Sequence, residues 1–304
     1  MEEIRYIKNK DIDLLKWDAC IRQSPNGLIY VYSWFLNIVS PGWEALVLGD
    51  YNAVMPLTHR RKWLISYLYQ PVFCAEAGIF SICDIDAALM HCFLKMIPGK
   101  FRYVDICLNR SNLFKLTDYS FAERIDYVLP LQLSYEEIKA VYSDNHTRNI
   151  QKARKRSLIV EEVPIQDAIN LVSNHIKNNP FKKDSDKPMF SQLFSRAQEK
   201  EGAICLGVRN SDRELLSSAV FFHAKQQWYY ILAGSTEEGR RSGAAHLLID
   251  AFIRQQAGTD SLLDFEGSDA ESVAFFYRGF GSTKIHYPSL RMNRLPLWMR
   301  FFKR

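Results

Sequence analysis

The sequence predicts an α/β protein of two similar domains in tandem, each a central mixed sheet flanked by helices. Three observations predict it. Strand-like alternation and helix-period segments follow one another along the chain. Their order, β-α-α-β-β-β-α-β-(α)-β, occurs twice, with no repeat in the residues themselves. Late in the chain, a strand runs through a basic, small-residue turn into a helix start.

The 304 residues and 47% hydrophobic content suffice for two ordinary domains. Charged residues at 24% argue against wholesale disorder. The net charge of +5 suits an anionic ligand and is too weak to imply nucleic acid by itself. The six cysteines form no Cys-x-x-Cys pair, so they are expected to be reduced, buried thiols of a cytoplasmic protein. The seven histidines lack metal-ligand spacing, and no metal is expected. The start Met1-Glu-Glu-Ile-Arg5 is unlike a signal peptide, and no apolar run has the length of a transmembrane segment.

In the first half, residues 3–8 read as a strand. Residues 11–23 read as a helix capped by Asp11, and 32–39 as a second helix stopped by Pro41-Gly42. Strands are expected at 43–48, 52–58 and 66–73, with a turn at 49–52 and a hairpin tip at His59-Arg-Arg-Lys62. A helix over 84–97 and strands over 101–108 and 123–133 complete the domain, 1–133. Ser134-Tyr-Glu-Glu137 fits a capping box. It opens a helical tract, 134–156, that ends in Arg148, Lys152, Arg154, Lys155 and Arg156 and joins the domains.

The second domain, 134–304, repeats the order. It has a strand at 159–163, helices at 166–178 and 189–199, and strands at 203–208, 215–224 and 227–234. The turn Ser235–Ser242 leads into a helix over 244–257. A strand at 261–266, a helix ending at Gly281 and a last strand at 283–292 follow.

Chemistry concentrates around that turn. Free backbone N–H groups and the positive end of a helix dipole face an anion there. Gly243, without a Cβ, permits close approach, while Arg240 and Arg241 supply charge; otherwise they are solvated loop cations. Asp264 and Glu266 are two apart on one strand and share a face at its C-terminal end. Either could serve as a base or hold a cationic amine; the bland alternatives are an ion pair for Asp264 and a solvated strand end for Glu266. Ser268-x-x-Glu271 reads as a structural capping box. Trp34, Tyr67, Tyr69 and Phe73 could line an acceptor groove, although aromatics at strand spacing are more often core. The basic tail 295–304, rich in aromatics, packs on the body or touches a membrane surface.

Two motifs carry a family resemblance. Arg240-x-x-Gly243-x-Ala245 is similar to the pyrophosphate turn of the GNAT acyltransferases, and Phe276-Tyr277-Arg-Gly-Phe280-Gly281 to their closing helix. Arg148-Asn-Ile-Gln-Lys152-Ala153 and Asp264-Phe-x-Gly267 resemble the tandem-domain Fem-type group. The resemblance covers residues 145–292 by motif and the first half by element order alone; that half lacks the phosphate turn.

The resemblance implies an enzyme moving an acyl group from acyl-coenzyme A to an amine or hydroxyl. Leu232, Ala233 and Gly234 would polarise the thioester carbonyl. Arg240, Arg241, Gly243, Ala244 and Ala245 would hold the pyrophosphate, and Tyr277 would protonate the leaving thiolate. Asp264 and Glu266 join Tyr277 as catalytic candidates; Arg148, Lys152, Trp34 and Tyr69 are substrate-binding candidates. The alternative is a Fem-type transferase using aminoacyl-tRNA on a cell-envelope precursor; Arg148 to Arg156 are then either a solvated face, as most charge runs are, or a contact for a large anion such as tRNA or a phospholipid-linked precursor. Fem-type enzymes have Phe-Lys where this chain has Phe276-Tyr277, and they lack the coenzyme A turn, so Tyr277 and the turn favour the thioester. The non-enzyme alternative is a GNAT-like binding scaffold with a blocked pocket beside Gly243 and Tyr277.

Overall fold

The computed structural model describes residues 2–176, 180–267 and 270–296. Along the first part of the chain come β1 Ile4–Ile7, α1 Leu14–Gln23, α2 Ser33–Val39, β2 Glu44–Leu48, β3 Ala53–Leu57, β4 His59–Lys62 and β5 Ile65–Tyr69. They continue through β6 Phe80–Ser81, α3 Ala87–Met96, β7 Phe101–Cys107 and β8 Ser120–Pro130. Then follow α4 Tyr135–Ala140, α5 Asp144–Lys155, β9 Ile159–Glu162, α6 Ile165–His175, α7 Asp186–Lys200, β10 Ala203–Arg209, β11 Leu215–Ala224 and β12 Gln227–Ser235. The last are α8 Glu237–Ser242, α9 Ala244–Gln256, β13 Leu262–Asp264, α10 Glu271–Arg278 and β14 Thr283–Asn293.

The chain forms two compact units, Met1–Arg124 with His286–Arg304, and Ile125–Ile285. The sequence reading places its boundary after residue 133 and leaves the last strand in the second domain. The capping box at Ser134 is intact, with the Glu137 carboxylate accepting the Ser134 N–H and the Ser134 hydroxyl accepting the Glu137 N–H. It marks a helix start inside the second unit. The changeover lies earlier, within β8, and β14 carries the chain back.

In the first unit, β1, β2, β3 and β6 form an antiparallel sheet. β4 pairs with β5, β5 runs parallel to β7, and Ser289–Asn293 of β14 pairs with β7. Met90, Phe93 and Leu94 of α3 enter a core with Leu68, Val104, Ile106 and Leu290. Asp86 caps α3, its carboxylate accepting the Leu89 N–H. A negative side chain at this helix start opposes anion binding there. The N-terminal helix differs from expectation: Asn9–Asp11 is one 3-10 turn, and Asp13 caps α1 by accepting from the Leu15 and Lys16 N–H groups. His59–Lys62 is a strand rather than a tip; the tip is Trp63-Leu64.

The second unit builds one mixed sheet in the order β8, β13, β12, β11, β10, β9. Only β12 and β13 run parallel among these pairs. Neighbouring residues on a strand face opposite sides, and Phe221 and Phe222 show it. Phe222 stacks on Phe190 of α7 at 5.9 Å, while Phe221 stacks on Phe252 of α9 at 3.7 Å. The sheet is therefore covered on both faces, and α9 and α10 share one of them with the main core. Of the cysteines, Cys20, Cys74 and Cys205 are buried as expected, whereas Cys83 and Cys92 are exposed.

The cap assignment is testable by urea unfolding. Asp13→Ala should lower stability by about 1 kcal/mol through loss of two accepted hydrogen bonds, whereas Asp11→Ala should leave it unchanged.

Candidate functional site in the second unit

β12 and β13 part company after one short stretch of pairing. Gln227, Trp228 and Tyr229 pair with Leu262, Leu263 and Asp264, where β13 ends. β12 continues to Ser235, still paired with β11. Its register slips at this point: Phe221 faces Tyr230 but Val220 faces Leu232, so Ile231 is the extra residue of a bulge.

The bulge decides which backbone groups face the gap. Ser217 Oγ donates to the Gly234 carbonyl at 3.1 Å, and the Thr236 N–H donates to the Leu216 carbonyl at 2.9 Å. Residues 234 and 236 thus present their backbone to β11, and alternation turns the N–H and C=O of Ala233 to the opposite edge. Leu232 is buried beside them, and the missing side chain of Gly234 leaves room for Leu171 and Val172 of α6.

An aromatic group packs beside the last pair. The Tyr277 ring stacks on Phe265 at 4.6 Å and meets Tyr230 edge-on at 6.2 Å. Tyr277 is 8% exposed. Burial, reinforced by Tyr230, Asp126, Glu266 and Asp264, holds its phenol well above 10, so it stays protonated and has a proton to donate.

Asp264 and Glu266 separate into different roles. One Asp264 oxygen accepts Gln227 Nε2 at 2.7 Å, and the other accepts the Glu266 N–H at 2.7 Å. Asp264, at the last β12–β13 pair, therefore reaches back to Gln227 at the first pair and holds the turn of the chain beyond the strand. Glu266 adopts φ 65° and Gly267 φ 67°. This left-handed pair turns the Glu266 side chain out of the strand alternation that places it beside Asp264. Glu266 keeps some solvent contact, yet the surrounding protein raises its carboxyl to about 8. A base titrating there is poised near neutral pH.

The expected phosphate turn contains a short helix. α8 is capped by Thr236, and Gly243, at φ 81°, breaks it from α9. Arg240 donates to the Ser235 carbonyl at 2.6 Å, and Arg241 pairs with Glu237 of its own helix. A Cβ on Gly243 would lie 2.4 Å from the Asn149 carbonyl oxygen. The approach that Gly243 permits is thus taken by α5 on that side. Ala244 is buried and Ala245 half-buried in the first turn of α9.

α5 also reaches between α9 and α10. His146, 0% exposed, packs on His246 at 4.7 Å and Phe280 at 4.5 Å. Its Nε2 donates to the Phe276 carbonyl at 2.8 Å, and Nδ1 accepts from Ser143 Oγ at 2.9 Å, the tautomer that satisfies both partners. Gly279 is required here, because a Cβ would lie 1.9 Å from that ring. Burial lowers the pKa of both histidines, His246 to about 4, so the wedge is neutral at pH 7.

The substrate candidates are spread out. Arg148 and Lys152 lie on the exposed face of α5. In the first unit, Tyr69 lines a cavity of about 330 Å³ with Tyr67, Tyr103, Asp105 and Arg124. Trp34 is not among its lining residues; its indole N–H is buried without a hydrogen-bond partner among the described residues. Ser268 of the expected Ser268-x-x-Glu271 box lies outside the described residues, as does the tail beyond Pro296. Among the described residues, no cluster is arranged to hold a metal ion, and no helix is long and apolar enough to cross a membrane.

Three residues escaped the sequence reading. Tyr230 alternates with Trp228 on the core side, a visible signal, but the bulge after it is not. Gln227 acts through a carboxylate far away in sequence. His146 shares a helical face with Ile150 and Ala153, a pattern that marks core and says nothing of what it wedges apart.

No protein-family model matches the chain, and no curated protein matches its sequence. Solved structures do match its fold. FemX aligns over 93% of this chain and 96% of its own, with TM-score 0.63 and 14% identity. A tandem GNAT protein from the clavulanic acid biosynthesis pathway aligns over 97% and 99%, with TM-score 0.55 and 9% identity. L-PGS from Bacillus licheniformis aligns over 95% of both chains, with TM-score 0.55 and 11% identity. The chain thus has the tandem GNAT-like fold found in the Fem-type group.

Glu266 makes stability depend on pH. Its carboxyl titrates near 8 when folded and about 4.3 when unfolded. The folded state is favoured fully below the lower value, and that contribution is lost as pH rises to the upper one. Glu266→Gln, which cannot ionise, should melt several degrees above the parent at pH 9 and together with it at pH 4.

Proposed function

We propose that the protein is an acyltransferase whose reaction takes place in the gap between β12 and β13, with an amine as acceptor. One observation supports this above the rest. The edge of β12 at Ala233, unpaired by any strand among the described residues, lies past the last β13 pair, where the Tyr277 ring meets Tyr230 of β12 and Asp264 holds the Glu266 N–H. Each group has a chemical task there. The Ala233 N–H, fixed by the bulge, would stabilise the oxyanion as the acyl carbonyl is attacked. Glu266, ionised above about pH 8, would take the proton from the amine. Tyr277, held protonated, would give its proton to the leaving group. Asp264 would hold Glu266 in place through its backbone N–H.

For the donor, the proposal is an acyl-coenzyme A. The support is the helix break at Gly243, the first turn of α9, and the cations Arg240 and Arg241 at the mouth of the turn. A second reading, an aminoacyl-tRNA donor and a cell-envelope acceptor, has its own observation. α5 covers Gly243 and turns Arg148, Lys152, Lys155 and Arg156 outward, with no ionic partner for them among the described residues. The shared fold with FemX, and with an Agrobacterium fabrum domain named for lysylphosphatidylglycerol synthesis (TM-score 0.56, 9% identity), adds weight to that reading.

Two measurements separate these. Acetyl-coenzyme A at millimolar concentration should raise the melting temperature by several degrees, as about 2.7 kcal/mol of linkage at a hundredfold excess over Kd requires. No shift, together with tRNA binding that falls about a thousandfold or more between 50 and 200 mM salt, would move the donor to aminoacyl-tRNA. Tyr277→Phe should lower turnover by about 10²- to 10⁴-fold with donor affinity unchanged. A variant as fast as the parent would remove Tyr277 from the chemistry.

A further inference from the structure

The hairpin of β4 and β5 carries an exposed apolar tip. Lys62 pairs with Ile65, so Trp63 and Leu64 form a two-residue loop. Both have positive φ, 51° and 65°, the condition of a type I′ turn. Such loops favour Asn-Gly, where left-handed backbone is free of strain. This one holds two large apolar residues instead, 84% and 83% exposed. Burial within the fold does not account for them.

The residues leading to the tip are cations. Arg60, Arg61 and Lys62 are all exposed. Arg60 lies over the Tyr69 ring at 4.1 Å, and Arg61 and Lys62 have no ionic partner among the described residues. β4 is the outer strand of its sheet, and cations on an outer strand commonly deter edge-to-edge association. That reason covers Arg60 to Lys62, but it is undone by an adjoining Trp-Leu tip, which would itself promote association.

The two features fit together at the surface of an anionic bilayer. Trp is the side chain most at home at the boundary between headgroups and acyl chains. An apolar tip reaching about 5–10 Å past the headgroups leaves cations one to three residues behind it at headgroup level, since a strand advances about 3.3 Å per residue. A nucleic-acid contact would use the cations and could stack Trp63 on a base, but it offers nothing to Leu64. We propose that the Arg60–Leu64 hairpin docks the first unit onto anionic phospholipid membranes, Trp63 and Leu64 inserting and Arg60, Arg61 and Lys62 meeting lipid phosphates. This goes beyond the proposed acyl transfer and does not depend on it.

The test is co-sedimentation of the full chain with vesicles of phosphatidylglycerol and phosphatidylcholine, and with phosphatidylcholine alone. Binding should require phosphatidylglycerol and weaken at high salt. Arg61→Glu with Lys62→Glu should reduce it about 25-fold or more, at about fivefold per cation removed. Trp63→Ser with Leu64→Ser should reduce it about tenfold or more with all cations intact. The sites are exposed, so melting temperatures should match the parent's. No binding to anionic vesicles, or binding unchanged by Trp63→Ser with Leu64→Ser, overturns the proposal. Transfer RNA binding lost in the charge-reversed variant while vesicle binding persists assigns the hairpin to nucleic acid instead, and overturns it equally.

Discussion

Asp264 fixes where two parallel strands stop being neighbours. Its two oxygens are shared between the side chain of Gln227, which stands at the first β12–β13 pair, and the Glu266 backbone N–H beyond the last. The first bond spans the paired stretch, and the second bends the chain away. A gap between two strands of one sheet would normally leave a row of unpaired backbone groups, which is costly when buried. Here the bulge at Ile231 turns the backbone groups of Ala233 away from β11, and the rings of Phe265, Tyr230 and Tyr277 pack on one another beside the last pair. The polar pieces that remain, Glu266 and the Tyr277 hydroxyl, sit where burial moves their proton affinities upward. Packing thus creates the conditions for the proposed proton transfers.

The same economy explains α5. A strand-to-helix turn with Gly243 invites an anion, yet the invitation is partly taken by the Asn149 backbone. His146 then fills the space between α9 and α10 that a Cβ on Gly279 would close. The helix leaves its basic side facing out. These two surfaces, the turn and the outward cations, lie on adjoining elements, and each is proposed to meet phosphate. That is the physical reason the choice between coenzyme A and tRNA donors turns on affinity and salt dependence and not on the fold they share.

Much of the architecture was legible in the residues. Period-2 and period-3.6 patterns placed nearly every strand and helix of the second unit, because its strands are half covered by helices and its helices have one apolar face. The capping box at Ser134 was readable because both partners are local. Local signals failed where a neighbour two or three residues away competes. Asp13 won the α1 cap from Asp11, and Thr236 turned an expected loop into α8. The unit boundary was not legible, since β8 and β14 are continuous strands that serve both units. Within the candidate site, Tyr277 and Asp264 were visible through motif. Their partners were not. A bulge at Ile231 and a left-handed Glu266 leave no mark in composition, and the Asp264 carboxylate looked like a base until its two oxygens were found engaged.

The central claim is that the gap beside Asp264 is the reaction centre and Glu266 its base. The pH dependence of kcat/KM for acyl transfer, measured on the parent and on Glu266→Gln, tests it most directly. With Glu266 as base, the rate of the parent rises with pH through its half-maximum near 8 to a plateau above it, and the variant loses that rise with a large fall in rate. The same rise and the same rate in Glu266→Gln would contradict it.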